Sequence, residues 1–178
     1  MWSGFKWRNQ VAGNVSVKIR KLEEEDVDGI SELWNEFARL REEMTEHSIL
    51  NEDAADYFFG YATGLLQRKD TLTLVAEDEK TGELVGYLIA QKQRKPPIYR
   101  HTRVAYLSDA FVKDSYRKQG ILAKFLAELE SWAKGEGITA IDVMLFQENR
   151  MAHEVYAHLG FHNYRTVMRK NMAPLTGE

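Results

Sequence analysis

The sequence predicts a mixed α/β (α+β) fold in which one β-sheet is flanked by helices. Short apolar segments typical of strands alternate with amphipathic helical segments, in the approximate order βααβββαβαβ. The chain has 178 residues, of which 44% are hydrophobic, enough for a single domain with a sizeable core. No internal repeat or low-complexity segment interrupts this order. We therefore expect an N-terminal extension (residues 1–14), one domain (15–172) and a C-terminal tail (173–178).

Six segments are predicted as strands because they are short, rich in apolar residues and bounded by turn residues. In chain order they are residues 15–20, 71–76, 84–91, 104–112, 138–146 and 161–169. The turn at residues 78–82 joins the second and third strands into a hairpin. Residues 93–103 are predicted as a loop, because Pro96 and Pro97 cannot occupy the interior of a strand.

Four segments have the three- and four-residue apolar spacing of helices. The first follows Asp26 as its N-cap, and the second spans residues 53–66. The third begins near Gly120 and ends at Gly135 to Gly137, and the fourth runs from Asn149, its N-cap, through Leu159. The expected buried side chains of the second helix are Tyr57, Phe58, Tyr61 and Leu65.

The composition excludes several classes of function. The chain has no cysteine, which rules out disulfides, thiolate metal sites and acyl transfer through a protein thiol. No apolar run is long enough for a membrane span, and the first 14 residues lack the apolar core of a signal peptide, so we expect a cytoplasmic protein. The net charge of −3 gives no general case for nucleic-acid binding. His153 and His158 are expected on the surface and not at a metal site.

The most informative segment for chemistry is a predicted strand, turn and helix between residues 107 and 132. Unpaired N–H groups at a helix start, together with the positive end of the helix dipole, suit a pyrophosphate. Arg117 and Lys118 add positive charge, and Gly120 lets the backbone approach a phosphate closely. An ordinary surface turn that contains a glycine is the alternative interpretation.

The fourth predicted helix carries a second candidate site residue, Tyr156. Its neighbours on the same helix face, Ala152, Val155 and Leu159, are apolar. Tyr156 is therefore either a core tyrosine whose hydroxyl finds a partner or a proton donor at the edge of a site.

These two segments resemble the GNAT superfamily of N-acetyltransferases. Residues 117–122 (RKQGIL) are similar to its cofactor motif Gln/Arg-x-x-Gly-x-Gly/Ala, with Leu122 where Gly or Ala is usual. Residues 149–161 match its pattern Asn-x-x-Ala-x-x-x-Tyr-x-x-x-Gly-Phe at every fixed position. The resemblance is specific over residues 106–169, and the order of elements in residues 15–91 is compatible with it.

The resemblance implies a GNAT-like acyl-CoA N-acyltransferase fold with a mostly antiparallel sheet of six to seven strands. It implies direct transfer of acetyl from acetyl-CoA, as cosubstrate and without a metal, to a primary amine of a small cationic molecule or of a protein. The pantetheine would lie along residues 110–112 and contact Asn149, the pyrophosphate would bind the amides of residues 117–123, and Tyr156 would protonate the CoA thiolate. The implied cofactor-binding residues are Ala110, Phe111, Val112, Arg117, Lys118, Gln119, Gly120, Ile121, Leu122, Ala123 and Asn149.

The general base and the acceptor site are less defined. Relatives often have Glu at the position of Ser108, and the nearest carboxylate here is Asp109, which would act as the base or brace the loop. Because neighbouring strand residues point to opposite faces, only one of these two side chains can face the cleft. The acidic residues before and after position 40 would either bind a cationic amine or form ordinary surface: Glu36, Glu42, Glu43 and Glu46.

Two alternative functions remain open. Leu122 and the missing family glutamate suit a non-catalytic acyl-CoA sensor or a protein-interaction module. A cluster of cations would suit an RNA- or protein-modifying enzyme, although a solvated loop is the simpler interpretation: Arg94, Lys95, Arg100 and Arg103. We expect no nucleic-acid or membrane partner. The resemblance is compatible with a homodimer, and Trp2, Phe5 and Trp7 would pack on the core or on a partner chain.

Overall fold

The computed structural model describes residues 16–100 and 102–172, which form five strands and four α-helices. The elements are β1 (Val17–Lys21), α1 (Val27–Met44), α2 (Ala54–Leu65), β2 (Thr71–Asp78), β3 (Leu84–Arg94), β4 (Arg103–Val112), α3 (Ile121–Gly135), β5 (Ala140–Val143) and α4 (Arg150–His158). The predicted extension and tail, with Trp2, Phe5 and Trp7, lie outside the described residues. No described helix is both long and apolar enough to cross a membrane.

The five strands form one sheet in the order β1-β2-β3-β4-β5. The first four strands pair antiparallel, and β5 pairs parallel to β4. A parallel neighbour requires a crossover connection, and α3 provides it between β4 and β5. The predicted mixed and mostly antiparallel sheet is therefore confirmed, and it has five strands in the described part of the chain.

The prediction of a last strand at residues 161–169 is wrong. This segment pairs with no strand in the described residues, and side chains hold it instead. The Phe161 ring packs edge-on against Tyr156 at 5.2 Å, and Lys95 Nζ donates to the Tyr164 hydroxyl at 2.7 Å. A segment rich in strand-forming residues is compatible with a half-buried sheet surface, but its composition does not ensure that a strand is available to pair with it.

The helices cover both faces of the sheet. On one face, α1 and α2 form a core with the sheet residues Tyr87, Ile89 and Phe111. On the other, α3 and α4 pack against the sheet, with Phe125 and Tyr156 buried between them. The prediction that Tyr57 belongs to the buried side of α2 is wrong, because the helix turns a different face toward the core.

Candidate active site

A β-bulge interrupts β4 at the centre of the sheet. Ile89 of β3 pairs with Asp109, while the next residue, Ala90, pairs with Leu107, so that Ser108 is the extra residue. The Ser108 hydroxyl donates to the Ile89 carbonyl at 3.2 Å. A bulge bends its strand and increases the local twist. The bulge therefore marks the point where β4 separates from β5, its neighbour on the other side.

That neighbour is β5, which in the described chain pairs with β4 only from Val104 to Leu107. Beyond the bulge, no strand of residues 16–100 and 102–172 lies beside this edge of β4. The Lys113 N–H donates to the Val85 carbonyl at 2.9 Å and so points at β3. The backbone N–H and C=O groups of successive strand residues alternate between the two edges of a strand. The N–H and C=O groups of Val112 and Ala110 therefore point away from β3, at the open edge.

The predicted phosphate-binding turn follows directly. Lys118 and Gly120 have left-handed backbones, with φ of 61° and 78°. The Lys124 N–H makes the first intrahelical bond, to the Gly120 carbonyl at 3.0 Å, so the N–H groups of residues 121–123 precede the α3 ladder. A Cβ built on Gly120 would meet no atom within 4 Å. The positive φ, and not crowding, therefore requires glycine here.

The side chains of this turn have different roles. The Arg117 Nε donates to the Val112 carbonyl at 3.0 Å, and its Nη1 bonds the Asp114 carboxylate at 2.9 Å, so Arg117 braces the turn. Gln119 donates to the Ser115 carbonyl, whereas Lys118 is exposed. Leu122, the departure from the family motif, packs against the core of the α3 face. Its side chain is therefore occupied in packing, and its backbone N–H remains at the helix start.

Asp109 is the most perturbed carboxyl group of the region. Its side chain is 17% exposed, and Arg41 Nη1 lies 3.9 Å from Oδ1. Burial raises the pKa of Asp109 from 3.8 to about 6, although the Arg41 charge lowers it. Of the two alternatives at the bulge, Asp109 lines a cavity, whereas Ser108 bonds the backbone of β3.

This cavity of about 450 Å³ opens on the α1 and α2 side of the sheet. We call it the aromatic cavity, and its lining residues are Trp34, Ile49, Leu50, Asn51, Ala54, Tyr57, Phe58, Tyr61 and Asp109. Tyr57 lies at the mouth and is 72% exposed, because α2 turns Phe58, Ala62 and Leu65 toward the core instead. The cavity thus joins a hydrophobic wall to one carboxyl group.

Four tyrosines surround the Asp109 charge: Tyr61, Tyr87, Tyr106 and Tyr156. Burial raises the pKa of each one, and the Asp109 carboxylate raises it further. The pKa of Tyr156 reaches about 12, and the residue is 7% exposed. The two predicted catalytic residues, Tyr156 and Asp109, are therefore close enough to interact electrostatically, and the tyrosines keep their protons at neutral pH.

Asn149 caps α4 as predicted, since its Oδ1 accepts from the Ala152 N–H at 3.0 Å. This bond occupies Oδ1, so a contact with a cofactor would use Nδ2. The histidines of α4 bond to backbone carbonyls: His153 Nε2 lies 3.2 Å from Phe146 O, and His158 Nδ1 lies 2.7 Å from Glu154 O. Within residues 16–100 and 102–172, no group of three acidic or histidine side chains could hold a metal ion.

The structure does not bring the predicted acidic residues together. Glu36 lines a separate cavity with Asp26 and Glu83, and the Glu42 carboxylate accepts from the Leu50 N–H at 2.9 Å. Glu43 and Glu46 are exposed. In the basic loop region, Lys95 pairs with Asp142 at 2.7 Å and Arg103 bonds the Glu136 carbonyl at 3.4 Å, while Arg94 and Arg100 are exposed.

Sequence reasoning missed most of the cavity lining, and three of the missed residues of the site bear on its chemistry. Arg41 lies beside Asp109, and Trp34 lines the cavity. The Tyr87 hydroxyl is fully buried and has no hydrogen-bond partner among the described residues. A signal existed only for α1, where Trp34, Phe37 and Arg41 share one face at helical spacing. Arg41 lies over the Phe37 ring at 5.3 Å, as this spacing allows.

Comparison with known proteins agrees with this geometry. The profile of the acetyltransferase (GNAT) family matches residues 29–161. The chain is 30% identical over 105 residues to an aminoglycoside N(6')-acetyltransferase type 1 of Acinetobacter genomosp. 13. The aligned residues cover 58% of this chain and 71% of that protein.

Two solved structures have the same fold. The aminoglycoside 6'-N-acetyltransferase AAC(6')-Ih of Acinetobacter baumannii has a TM-score of 0.70 at 23% identity, over 89% of this chain and 100% of that chain. The aminoglycoside N-acetyltransferase AAC(6')-Iy in complex with CoA has a TM-score of 0.70 at 17% identity, over 90% and 97%. The family match spans most of the chain and contains both the predicted phosphate-binding turn and α4. This chain therefore belongs to the GNAT family of acetyltransferases.

Proposed function

We propose that this N-acetyltransferase transfers acetyl from acetyl-CoA to the primary amine of a small molecule bound in the aromatic cavity. One observation supports this most strongly. Asp109, whose pKa is raised to about 6, lies at the bulge where the aromatic cavity meets the open edge of β4. An amine in the cavity and a thioester along that edge would meet at this carboxyl group.

The cofactor arrangement follows from the open edge. The pantetheine amides would pair with the backbone of Ala110 and Val112, as an added strand does. The pyrophosphate would lie on the N–H groups of residues 117–123, where the α3 dipole and the exposed Lys118 add positive potential. The Phe111 side chain packs into the core and its backbone groups point at β3, so Phe111 supports this arrangement only by holding the strand in place.

The reaction needs an unprotonated amine. An alkylammonium group has a pKa of about 10.4, so proton transfer to a carboxylate of pKa about 6 costs about 6 kcal/mol. For a carboxylate of ordinary pKa the cost would be about 9 kcal/mol. A turnover of about 10 per second corresponds to a barrier of about 16 kcal/mol. The raised pKa of Asp109 therefore leaves about 3 kcal/mol more of that barrier for the chemical step.

In the chemical step the amine lone pair attacks the thioester carbonyl, a C–N bond forms and the C–S bond breaks. Asp109 has taken one proton from the ammonium group before this attack, and Tyr156 donates its hydroxyl proton to the departing sulfur. The second proton that the nitrogen loses returns to the Tyr156 oxygen through solvent, so the step leaves the amide, CoA thiol and a protonated Asp109. A thiol has a pKa of about 8.5, so complete transfer from a phenol of pKa about 12 is uphill by about 5 kcal/mol. The contribution of Tyr156 begins as a hydrogen bond to the developing thiolate, before the proton moves.

The test is release of free thiol from acetyl-CoA on addition of primary amines. Binding of acetyl-CoA should raise the melting temperature, as any ligand of the native state does. Thiol release should then depend on the amine and fall strongly in Asp109→Asn. A rise in melting temperature with no thiol release for any amine would refute catalysis and favour an acyl-CoA sensor. The predicted domain division, cytoplasmic location, homodimer and absence of a nucleic-acid partner remain predictions.

A further inference from the structure

We infer that the acceptor is a primary amine with a single positive charge on an aromatic or flat apolar body, and not a polycation. This inference rests on the proposed function, because it concerns what the aromatic cavity accepts. It differs from the substrates that the names of the aminoglycoside acetyltransferase relatives indicate.

The wall of the aromatic cavity is built from fixed rings. Trp34 and Phe58 are stacked, with centroids 4.6 Å apart and planes 10° apart, and Tyr61 lies 5.9 Å from Phe58. Phe58 is 6% exposed and belongs to the core under α2. Such a wall offers flat apolar surface, which an aromatic ring or a flat hydrocarbon body covers well.

The mouth of the cavity is apolar as well. Ile49 is 55% exposed and Tyr57 is 72% exposed, and both line the same cavity. Large apolar side chains exposed next to each other around a concave surface mark a binding site more often than a chance arrangement. A body that contacts these residues on entry would remove their apolar surface from water.

The charge of the cavity fits one ammonium group. Asp109 is the only charged side chain among the described residues that line it, and Arg41 already lies 3.9 Å from its carboxylate. A second cation drawn into the cavity would lose its hydration without a partner. Glu52 and Asp53 are exposed nearby and do not line it, and pairs at such exposed positions contribute little.

The hydrogen-bonding capacity of the cavity is also small. Apart from Asp109, the side chains in its lining that carry a hydrogen-bonding group are Trp34, Asn51, Tyr57 and Tyr61. The Tyr61 hydroxyl already accepts from Gln91 Nε2 at 2.8 Å. A sugar-based amine with many hydroxyl groups would therefore bury polar groups that find few partners, whereas an arylalkylamine would not.

The experiment compares amines by thiol release at a fixed concentration of acetyl-CoA. The panel is 2-phenylethylamine, n-butylamine as a single-charge amine without a ring, spermidine and kanamycin. Burial of a ring should give 2-phenylethylamine a kcat/KM about tenfold to a hundredfold above that of n-butylamine. Spermidine and kanamycin should fall below n-butylamine.

Two variants of α2 test the wall. Tyr57→Ala removes an exposed ring of the aromatic cavity, and Phe59→Ala removes a 45% exposed ring outside it. Tyr57→Ala should lower kcat/KM for 2-phenylethylamine about twofold to tenfold, and it should lower kcat/KM for n-butylamine by a smaller factor, because that amine has no ring to pack against Tyr57. Phe59→Ala should change neither amine, and this comparison controls for effects on the helix.

The outcomes separate the two proposals. If spermidine or kanamycin has the highest kcat/KM, the inference on substrate class is overturned while the acetyltransferase proposal stands. If no amine releases thiol, calorimetry of 2-phenylethylamine with the protein and CoA decides. Binding that Tyr57→Ala weakens would support the cavity assignment and refute catalysis. Absence of binding would overturn both.

Discussion

Replacement of Asp109 by asparagine should make this protein more stable and less active at neutral pH. The folded protein holds the carboxylate in a poorly solvated position, which raises its pKa from 3.8 to about 6. A shift of about 2 pKa units corresponds to about 3 kcal/mol of unfolding free energy lost when the group is ionised. The neutral amide of asparagine would resemble the protonated carboxyl group and avoid this cost.

The sign follows from proton linkage. The pKa is higher in the folded than in the unfolded chain, so between about pH 4 and pH 6 the folded state binds more protons. The contribution of Asp109 to unfolding free energy therefore falls as pH rises through this window. Asp109→Asn should gain about 3 kcal/mol at pH 7.5 but only about 0.5 kcal/mol at pH 4. The gain at neutral pH corresponds to about 6 to 12 °C in melting temperature.

The assay is urea unfolding at pH 4, 5, 6 and 7.5, with the slope of free energy against urea checked for constancy. Asp70→Asn is the matched control, because Arg68 lowers the pKa of Asp70 and this variant should lose stability instead. In parallel, kcat/KM of Asp109→Asn should fall about a hundredfold or more, and it should lack the rise near pH 6 that we expect of the wild type.

Two results would refute this reasoning. A stability difference between Asp109→Asn and wild type that is the same at pH 4 and pH 7.5 would show that ionisation of Asp109 carries no cost. A variant that gains stability while kcat/KM stays unchanged would confirm that the Asp109 carboxylate is poorly solvated. It would also show that Asp109 takes no part in the proposed chemistry. The second outcome would separate the electrostatics of the site from its function.

Three further substitutions test other parts of the site. Tyr156→Phe should lower kcat about a hundredfold while the Kd of acetyl-CoA from calorimetry stays within about threefold, and equal losses in both would exclude the acid role. Gly120→Ala forces alanine to a φ of 78°, so it should cost about 1 to 2 kcal/mol and weaken acetyl-CoA binding, whereas Gly135→Ala should do neither. Asn149→Ala should lose about 1 kcal/mol of unfolding free energy through the α4 cap, and an unchanged melting temperature would contradict the capping bond.

Local patterns carried most of the fold prediction. The apolar periodicity of α1 and α3 and the Asn149 cap depend on neighbours within one or two turns, which the sequence displays directly. The wrong strand at residues 161–169 shows the limit. Whether a strand-like segment joins a sheet depends on a free edge in the right place, and local composition carries no information on that.

The same distinction between local sequence patterns and long-range contacts applies to the candidate site. The sequence by itself determined the conformation of the turn at residues 117–120 and the cap of α4, because each is a continuous segment whose backbone geometry its own residues specify. Only the tertiary structure decided that Ser108 forms the bulge, that Asp109 faces Arg41, and that Trp34 and Tyr57 line one cavity with that carboxyl group. The pKa of a carboxyl group and the shape of a cavity depend on residues far apart in the chain, and packing alone brings them together.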